Sequence, residues 1–214
     1  MTGGTGTQST TPPATAGAAA QSDTSTSTDI GTGDDVLILP GWQNSGPQHW
    51  QSRWEASHTG FMRVPMPDWD FADRDAWCRT LDASVAAKAA AGRTVRFAAH
   101  SLGCLTVAFW ATQYATPDLL RHVKGALLVA VPDPAASAFP HAGSSGFAPV
   151  PHAPLPFSTT VVSSSDDPYG SPSFSLSCAD AWGSRWIGIG PRGHINSDSG
   201  LGDWAEGLGW LGEL

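Results

Sequence analysis

The fold is decided by the stretch Val95-Arg96-Phe97-Ala98-Ala99-His100-Ser101-Leu102-Gly103-Cys104. Its first half is rich in β-branched and aromatic residues, which is typical of a strand, and the apolar run after it predicts a buried helix. Ser101 stands at the junction, with the small residues Ala99 and Gly103 two positions away on either side. A nucleophile elbow needs small residues there because its backbone is pinched. We therefore predict a strand, a tight turn that exposes the Ser101 hydroxyl, and a helix whose first N–H group, that of Leu102, stabilises a developing oxyanion.

The elbow departs from the usual Gly-x-Ser-x-Gly pattern at one position, because Ala99 replaces the first glycine. We expect the fold to accept this single methyl group. A five-residue pattern with one substitution also fits a simpler interpretation, in which Ser101 only caps the helix that follows a buried strand. The elbow is therefore a hypothesis that other parts of the chain must support.

Composition limits the classes of function. The chain has 214 residues, 41% of them hydrophobic, and a formal charge of -8, which suits one soluble domain. With Lys+Arg at only 11, we expect neither a nucleic-acid partner nor an anionic membrane surface. The sequence contains no transmembrane run and no secretory signal pattern, and its cysteines lack disulfide or metal-ligand spacing. We expect a cytoplasmic protein without a metal or cofactor.

The order of the apolar segments predicts the architecture. Residues 1–33 are mostly Thr, Gly, Ser and Ala, so we predict a disordered tail followed by a single domain over 34–214. Strands alternate with helices after that point, which predicts an α/β fold with a mostly parallel central sheet and helices on both faces. The predicted strands are 36–39, 61–64, 95–99, 125–131, 157–162 and 185–189. Five helices are predicted. The first begins near Gln48, the second covers 76–91, the third follows Ser101, the fourth covers 173–182, and the last holds Trp204, Leu208 and Leu211.

Three chemically suited residues follow strands in the order nucleophile, acid, base: Ser101, Asp167 and His194. In a parallel sheet, residues at the carboxyl ends of strands collect at one edge. A serine hydroxyl needs an imidazole to take its proton, and a carboxylate must orient that imidazole. Asp133, which follows the preceding strand, is the rival acid, while Asp166 is a poorer candidate. We favour Asp167 because it lies in the loop that normally carries the acid.

Several segments together resemble the YdeN-type serine hydrolases, small α/β-hydrolase proteins related to retinoblastoma-binding protein 9. The resemblance covers about 35–212 and implies an α/β-hydrolase fold with a minimal lid or none. It also implies Ser101 as nucleophile, Asp167 as acid, His194 as base, and cleavage of small acyl esters. The segments are Asp35-Val36-Leu37-Ile38-Leu39-Pro40-Gly41, Ser45-Gly46-Pro47-Gln48-His49-Trp50-Gln51-Ser52-Arg53-Trp54-Glu55, His100-Ser101-Leu102-Gly103-Cys104, Asp166-Asp167-Pro168-Tyr169 and Gly193-His194-Ile195-Asn196.

An oxyanion hole needs a second donor besides the N–H of Leu102. In this fold the turn after the first strand supplies it, so we assign the N–H of Trp42 and expect Gly41 to let the backbone approach the substrate. Gln43 and Asn44 are candidates for lining the mouth of the pocket, although turn residues of this kind are often purely structural.

Two other histidines lie close to these motifs. We expect His49 to fix the first loop or cap the following helix, and His100 to support packing or a loop instead of acting as a second base.

The function that these residues favour is hydrolysis of a small-molecule acyl ester. Two alternatives remain open from the sequence. The protein could be a binding or scaffold protein on a hydrolase fold, because fold does not fix function. The same residues also serve acyl transfer to an acceptor other than water, and peptide cleavage.

Overall fold

The computed structural model describes residues 1–4 and 34–214, so most of the predicted tail lies outside the described residues. The main sheet has the strand order β2-β1-β4-β5-β7-β8, and all its pairings are parallel. The two short strands β3 and β6 form a separate pair. The strands are β1 Asp34–Leu39, β2 Phe61–Arg63, β3 Ala72–Asp73, β4 Thr94–His100, β5 Val123–Val129, β6 Ser144–Ser145, β7 Ser158–Ser163 and β8 Arg185–Gly188.

The predicted helices lie between the strands as the apolar pattern indicates, although the last one begins later than predicted and the short helices Pro117–Leu120 and Ser197–Ser199 were not predicted. Trp204 lies outside the last helix, contrary to the prediction. Its left-handed backbone, with φ of 39°, prevents the helix from beginning earlier. The helices are α1 Trp50–Ser57, α2 Arg74–Ala90, α3 Leu102–Phe109 with a π-helix Trp110–Tyr114, α4 Pro117–Leu120, α5 Pro172–Trp182, a 3-10 helix Ser197–Ser199 and α6 Ala205–Gly212.

Each face of the sheet is covered by helices. Because side chains alternate along a strand, Leu37 of β1 packs on one face and Ile38 on the other. The first face buries residues of α2, α3 and α5, while the second buries residues of α1 and α6. Trp50, Trp54, Trp77 and Trp110, predicted as core aromatics, are at most 1% exposed. The predicted α/β fold is confirmed.

The segment between β5 and β7 adds no separate domain to the described part of the chain. Its only regular element there is β6, which pairs with β3. A side chain at Gly143 would meet the indole of Trp42 at 2.4 Å, so this segment packs directly on the turn that follows β1. The described residues therefore contain a short cover beside that turn and no large lid.

Charged groups at the amino edge of the sheet are paired. Asp35 is 5% exposed, and its carboxylate lies 2.9 Å from Lys88 Nζ and 2.6 Å from the Arg93 guanidinium. Asp34 accepts hydrogen bonds from Thr94 and Arg96. These contacts tie the start of β1 to α2 and β4. None of the described helices has the length and apolar character needed to cross a membrane.

Candidate active site

Ser101 occupies a strained turn between β4 and α3. Its φ is 54° and its ψ is -126°, a conformation that side chains rarely adopt, and its N–H donates to the carbonyl of Val129 at 3.0 Å. The turn also needs Gly103, because a Cβ there would lie 2.2 Å from the carbonyl oxygen of Leu39. Ala99 is fully buried in β4, so its methyl group is accommodated as expected.

Ser101, His194 and Asp167 form one continuous line of hydrogen-bonding groups. Nε2 of His194 lies 2.9 Å from Oγ of Ser101, and Nδ1 lies 2.9 Å from each carboxylate oxygen of Asp167. The Asp167 side chain is 2% exposed and that of His194 is 10% exposed. Because an ionised carboxylate only accepts, Nδ1 carries the proton of the neutral ring. Nε2 is then free to accept the proton of the Ser101 hydroxyl.

The two neighbouring candidates for the acid have other partners. The Asp133 carboxylate accepts the N–H of Ala135 at 2.8 Å and makes no hydrogen bond to His194 in the described structure. Asp166 accepts the N–H groups of Arg192 and Gly193, at 2.8 and 2.7 Å. Asp166 therefore anchors the loop that presents His194.

Sequence reasoning did not identify this anchoring role of Asp166. Its carboxylate also accepts the Ser164 hydroxyl at 2.7 Å. The hydrogen bond from Ser164, followed by that from the Gly193 backbone, lowers the pKa of Asp166 below its ordinary value. The signal in the sequence was the pair of adjacent acids. Asp166 anchors the loop that presents His194, and Asp167 contacts the His194 imidazole.

Tyr169 is a second residue that sequence reasoning missed. Its ring lies 4.3 Å from the ring of His194, centroid to centroid. Its backbone N–H donates to Asp167 at 2.9 Å. Tyr169 thus contacts both the imidazole and the carboxylate that orients it, and its position six residues after the end of β7 gave no separate signal.

His100 supports the loop of His194, as expected. Its Nε2–H donates to the backbone carbonyl of His194 at 2.8 Å, and the residue is 5% exposed. Burial, together with the neighbouring rings of His49 and His194, lowers the pKa of His100 well below its ordinary value. His100 is therefore neutral and adds no positive charge beside His194 when that ring takes a proton.

The turn after β1 passes very close to Ser101. A Cβ at Gly41 would lie 2.6 Å from Cβ of Ser101 and 3.3 Å from the backbone nitrogen of Leu102, so only glycine fits without a shift. Within the described residues, the N–H groups of Trp42 and Leu102 donate no hydrogen bond. By contrast, the next N–H, that of Gln43, donates to Trp69 at 2.8 Å. Two free N–H groups thus lie on the two segments that meet at Ser101.

Gln43 and Asn44 follow in left-handed backbone conformations, with φ of 62° and 65°. The Asn44 side chain accepts hydrogen bonds from the N–H of Ser45 at 2.8 Å and from Arg63 at 2.5 Å. Asn44 is therefore held by the protein itself, in line with the structural alternative for such turn residues. Both residues still line the cavity described next.

Two cavities share His194. The nucleophile cavity, which contains Ser101, has a volume of about 280 Å³, and the outer cavity, which does not, has about 510 Å³. The nucleophile cavity is lined by Gly41, Trp42, Gln43, Asn44, Gly46, His49, His100, Ser101, Pro140, Tyr169, His194, Asn196 and Ser197. The outer cavity is lined by Pro168, Tyr169, Pro191, Arg192, Gly193, His194, Asn196, Asp198 and Ser199. The described residues form no cluster of His, Cys, Asp and Glu suited to a metal ion.

Comparison with known proteins identifies the family and the fold of the chain. A family model described as serine hydrolase matches residues 36–213. The chain belongs to this serine hydrolase family. Its fold is similar to that of a YdeN-like hydrolase from Pectobacterium atrosepticum, with 27% identity and a TM-score of 0.73 over 87% of this chain and 92% of the other. The family resemblance seen in the sequence is therefore confirmed.

More distant structures share the fold of this serine hydrolase. The ydeN gene product from B. subtilis is 17% identical, with a TM-score of 0.57 over 85% of this chain and all of the other (100%). A thermophilic esterase from Thermogutta terrifontis is 16% identical, with a TM-score of 0.61 over 86% and 91%. At these identities the likeness concerns the fold alone. No protein with a curated description matches the chain.

Proposed function

We propose that this serine hydrolase cleaves small acyl esters through a covalent acyl-enzyme on Ser101. The observation that supports the proposal is the pair of hydrogen-bond contacts made by His194. Its Nε2 lies 2.9 Å from Oγ of Ser101, and its Nδ1 lies 2.9 Å from the buried carboxylate of Asp167. A buried carboxylate at Nδ1 fixes the tautomer that can accept a proton at Nε2. In this proposal Ser101 is the nucleophile, His194 the general base and Asp167 the orienting acid.

The first half of the reaction forms the acyl-enzyme. The Ser101 oxygen bonds to the ester carbonyl carbon while Nε2 of His194 takes the hydroxyl proton. The N–H groups of Trp42 and Leu102 donate to the resulting oxyanion. When the tetrahedral intermediate collapses, the bond to the leaving alkoxide breaks, and His194 returns the proton to it as an alcohol.

The second half regenerates the enzyme with water. A water molecule gives a proton to Nε2 of His194 as its oxygen bonds to the acyl carbon. The same two N–H groups stabilise the second oxyanion. The bond to Ser101 then breaks, the serine oxygen recovers the proton from His194, and the carboxylic acid leaves.

The size of the nucleophile cavity supports short acyl groups. Its volume of about 280 Å³ is at the lower limit of ordinary ligand pockets. We therefore expect acetyl and butyryl esters to be cleaved faster than long-chain esters. A higher kcat/KM for a long-chain ester would contradict this part of the proposal.

Replacing Ser101 with alanine tests the proposal. Ser101→Ala removes the nucleophile, so hydrolysis of p-nitrophenyl acetate should fall by roughly 10⁴-fold or more while the circular dichroism spectrum stays native. Ser84→Ala, on the remote helix α2, is the matched control and should keep its activity. Substantial esterase activity in folded Ser101→Ala would overturn the proposal, and absence of activity in the wild type would favour a binding protein.

A further inference from the structure

His49 belongs to the wall of the nucleophile cavity, although the proposed mechanism does not use it. The residue is 3% exposed and precedes α1 as its N-cap. Its Nδ1 accepts the backbone N–H of Gln51 at 3.1 Å, which confirms the helix-capping role expected from the sequence. The other ring nitrogen, Nε2, is buried and has no hydrogen-bond partner within the described residues.

The protonation of His49 follows from these contacts. Burial lowers the pKa of His49 to about 3, and electrostatic interactions with Arg63 and His194 act in the same direction, so the His49 ring is neutral at physiological pH. A neutral imidazole carries one proton, and Nδ1 is the acceptor for Gln51. Nε2 therefore carries the proton and is a donor.

A buried donor without an acceptor is rare in folded proteins and calls for a physical explanation. The nearest aromatic neighbour, His100, makes a ring contact with centroids 4.7 Å apart, and its own Nε2 is committed to the carbonyl of His194. The cavity that His49 lines also contains Ser101 and the turn at Gly41. An acceptor on a bound substrate would supply the missing partner.

The chemistry indicates which part of the substrate enters this cavity. The acyl group stays attached to Ser101 during the reaction, and Ser101 lines the nucleophile cavity only. The leaving group receives its proton from His194, which lines both cavities. The nucleophile cavity thus suits the acyl part, and the outer cavity suits the leaving group.

We propose that Nε2–H of His49 donates a hydrogen bond to an oxygen on the acyl group, so that the enzyme prefers short acyl esters carrying an ether, hydroxyl or carbonyl oxygen beyond the scissile carbonyl. This inference rests on the function proposed above. His49 is then a specificity-determining residue that contacts substrate, and its Nδ1 serves the helix cap at the same time.

Two substitutions separate these tasks of His49. Asparagine places an acceptor near the position of Nδ1, where it caps the helix, and removes the donor at Nε2. Glutamine places an amide N–H near the position of Nε2 and loses the local cap. His49→Asn should therefore lose specificity and retain stability, whereas His49→Gln should retain specificity and lose stability. His49→Ser is a second capping variant without the donor.

The substrates are two pairs of p-nitrophenyl esters of equal acyl length: methoxyacetate with butyrate, and β-methoxypropanoate with pentanoate. In each pair an ether oxygen replaces one methylene. For each pair, kcat/KM for the ether-containing ester is divided by kcat/KM for the alkyl ester. This ratio is compared between wild type and variant, so that the intrinsic reactivity of the esters cancels. For at least one pair we expect the ratio to fall about tenfold in His49→Asn and His49→Ser, as for loss of one hydrogen bond, and to stay near the wild-type value in His49→Gln.

Equal ratios in the wild type and both capping variants, for both pairs, would overturn the inference. A fall of the same size in His49→Gln would also overturn it, because the donor would not be the cause. These results are distinguishable from failure of the proposed function, which would appear as an active Ser101→Ala protein. Melting temperatures of the variants report the capping role separately.

Discussion

The two edges of the central sheet differ in whether the protein itself supplies partners for their polar groups. At the amino edge, Asp34 and Asp35 form ion pairs with side chains of β4, of α2 and of Arg93, the residue that precedes β4. At the carboxyl edge, Asp167 contacts the imidazole of His194, and the N–H groups of Trp42 and Leu102 have no acceptor in the described structure. The amino edge therefore has its polar groups matched by the protein, whereas the carboxyl edge leaves donors for a substrate.

Backbone strain follows the same division. Among the described residues, left-handed backbone at residues other than glycine occurs at Thr2, at Trp204 and at five positions in the loops after β1, β4 and β5 and beside His194, where φ lies between 49° and 65°. These five residues are Gln43, Asn44, Ser101, Ala130 and Ile195. Such conformations persist only where the surrounding structure holds them, and they cluster at functional sites. The amino edge therefore contributes to the stability of the fold, and the carboxyl edge contributes the geometry of the candidate site.

The largest effect should come from the carboxylate at the carboxyl edge. Asp167→Asn removes the acceptor that fixes the His194 tautomer, so kcat/KM for p-nitrophenyl acetate should fall by about 10³- to 10⁴-fold. Asp133→Asn is the matched control, because within the described residues the Asp133 carboxylate accepts a hydrogen bond from the N–H of Ala135 and none from His194. Steady-state kinetics of both variants also test the rival acid. A larger loss in Asp133→Asn than in Asp167→Asn would reverse the assignment.

A smaller effect on kcat is expected from a substitution in the turn after β1, because this turn lies very close to Ser101. Gly41→Ala would place a Cβ 2.6 Å from Cβ of Ser101, which must displace either the turn or the nucleophile. We expect kcat to fall by about 10²- to 10³-fold, as for loss of an oxyanion donor. Gly209→Ala, whose Cβ would meet nothing within 4 Å, should keep wild-type kcat. Equal activity of the two variants would show that the turn does not constrain the site.

The smallest expected effect concerns stability at the amino edge. Burial alone would raise the pKa of Asp35, but hydrogen bonds and charges from Arg93 and Lys88 outweigh it and lower the pKa. Asp35→Asn should therefore reduce the free energy of unfolding by about 2 kcal/mol at neutral pH. A carboxylate whose pKa is lowered by folding stabilises the fold at pH values above its unfolded pKa of about 4. This stabilisation is lost as the pH falls through the folded pKa, so the free energies of unfolding of the two proteins should converge in acid.

Urea unfolding of Asp35→Asn across this pH range provides the measurement. Asp118→Asn is the control, because the side chains of Asp118 and Arg121 are 82% and 70% exposed and an exposed pair contributes little. The folded Asp35→Asn protein should retain esterase activity, since the amino edge takes no part in the chemistry. A constant stability difference from neutral to acid pH would contradict the ionic account.

The sheet and the elbow could be predicted because they depend on local patterns. Buried parallel strands require apolar runs, and Gly103 is needed where α3 passes the end of β1. The start of the last helix was harder to predict, because Trp204 has apolar character suited to a helix but adopts a left-handed backbone. A local sequence pattern predicts which residues are buried more directly than it predicts their backbone conformation.

The site was only partly predictable because strand order brings candidates to one edge without assigning their partners. Asp133 and Asp167 both follow strands, and three-dimensional contact alone separates the one that reaches His194. The anchoring by Asp166 depends on the path of a loop after β8, 26 residues away. The lack of a partner for Nε2 of His49 could not be predicted, because it depends on which described residues lie beside the ring in the folded structure.

The most direct test of the central claim is fluorophosphonate labelling of the purified protein, beside Ser101→Ala, with the modified peptide identified by mass spectrometry. We expect one adduct, on Ser101, in the wild type and none in the variant, because only an activated serine reacts readily with this probe. Adduct formation on another residue, or no labelling of a folded wild-type sample, would contradict it.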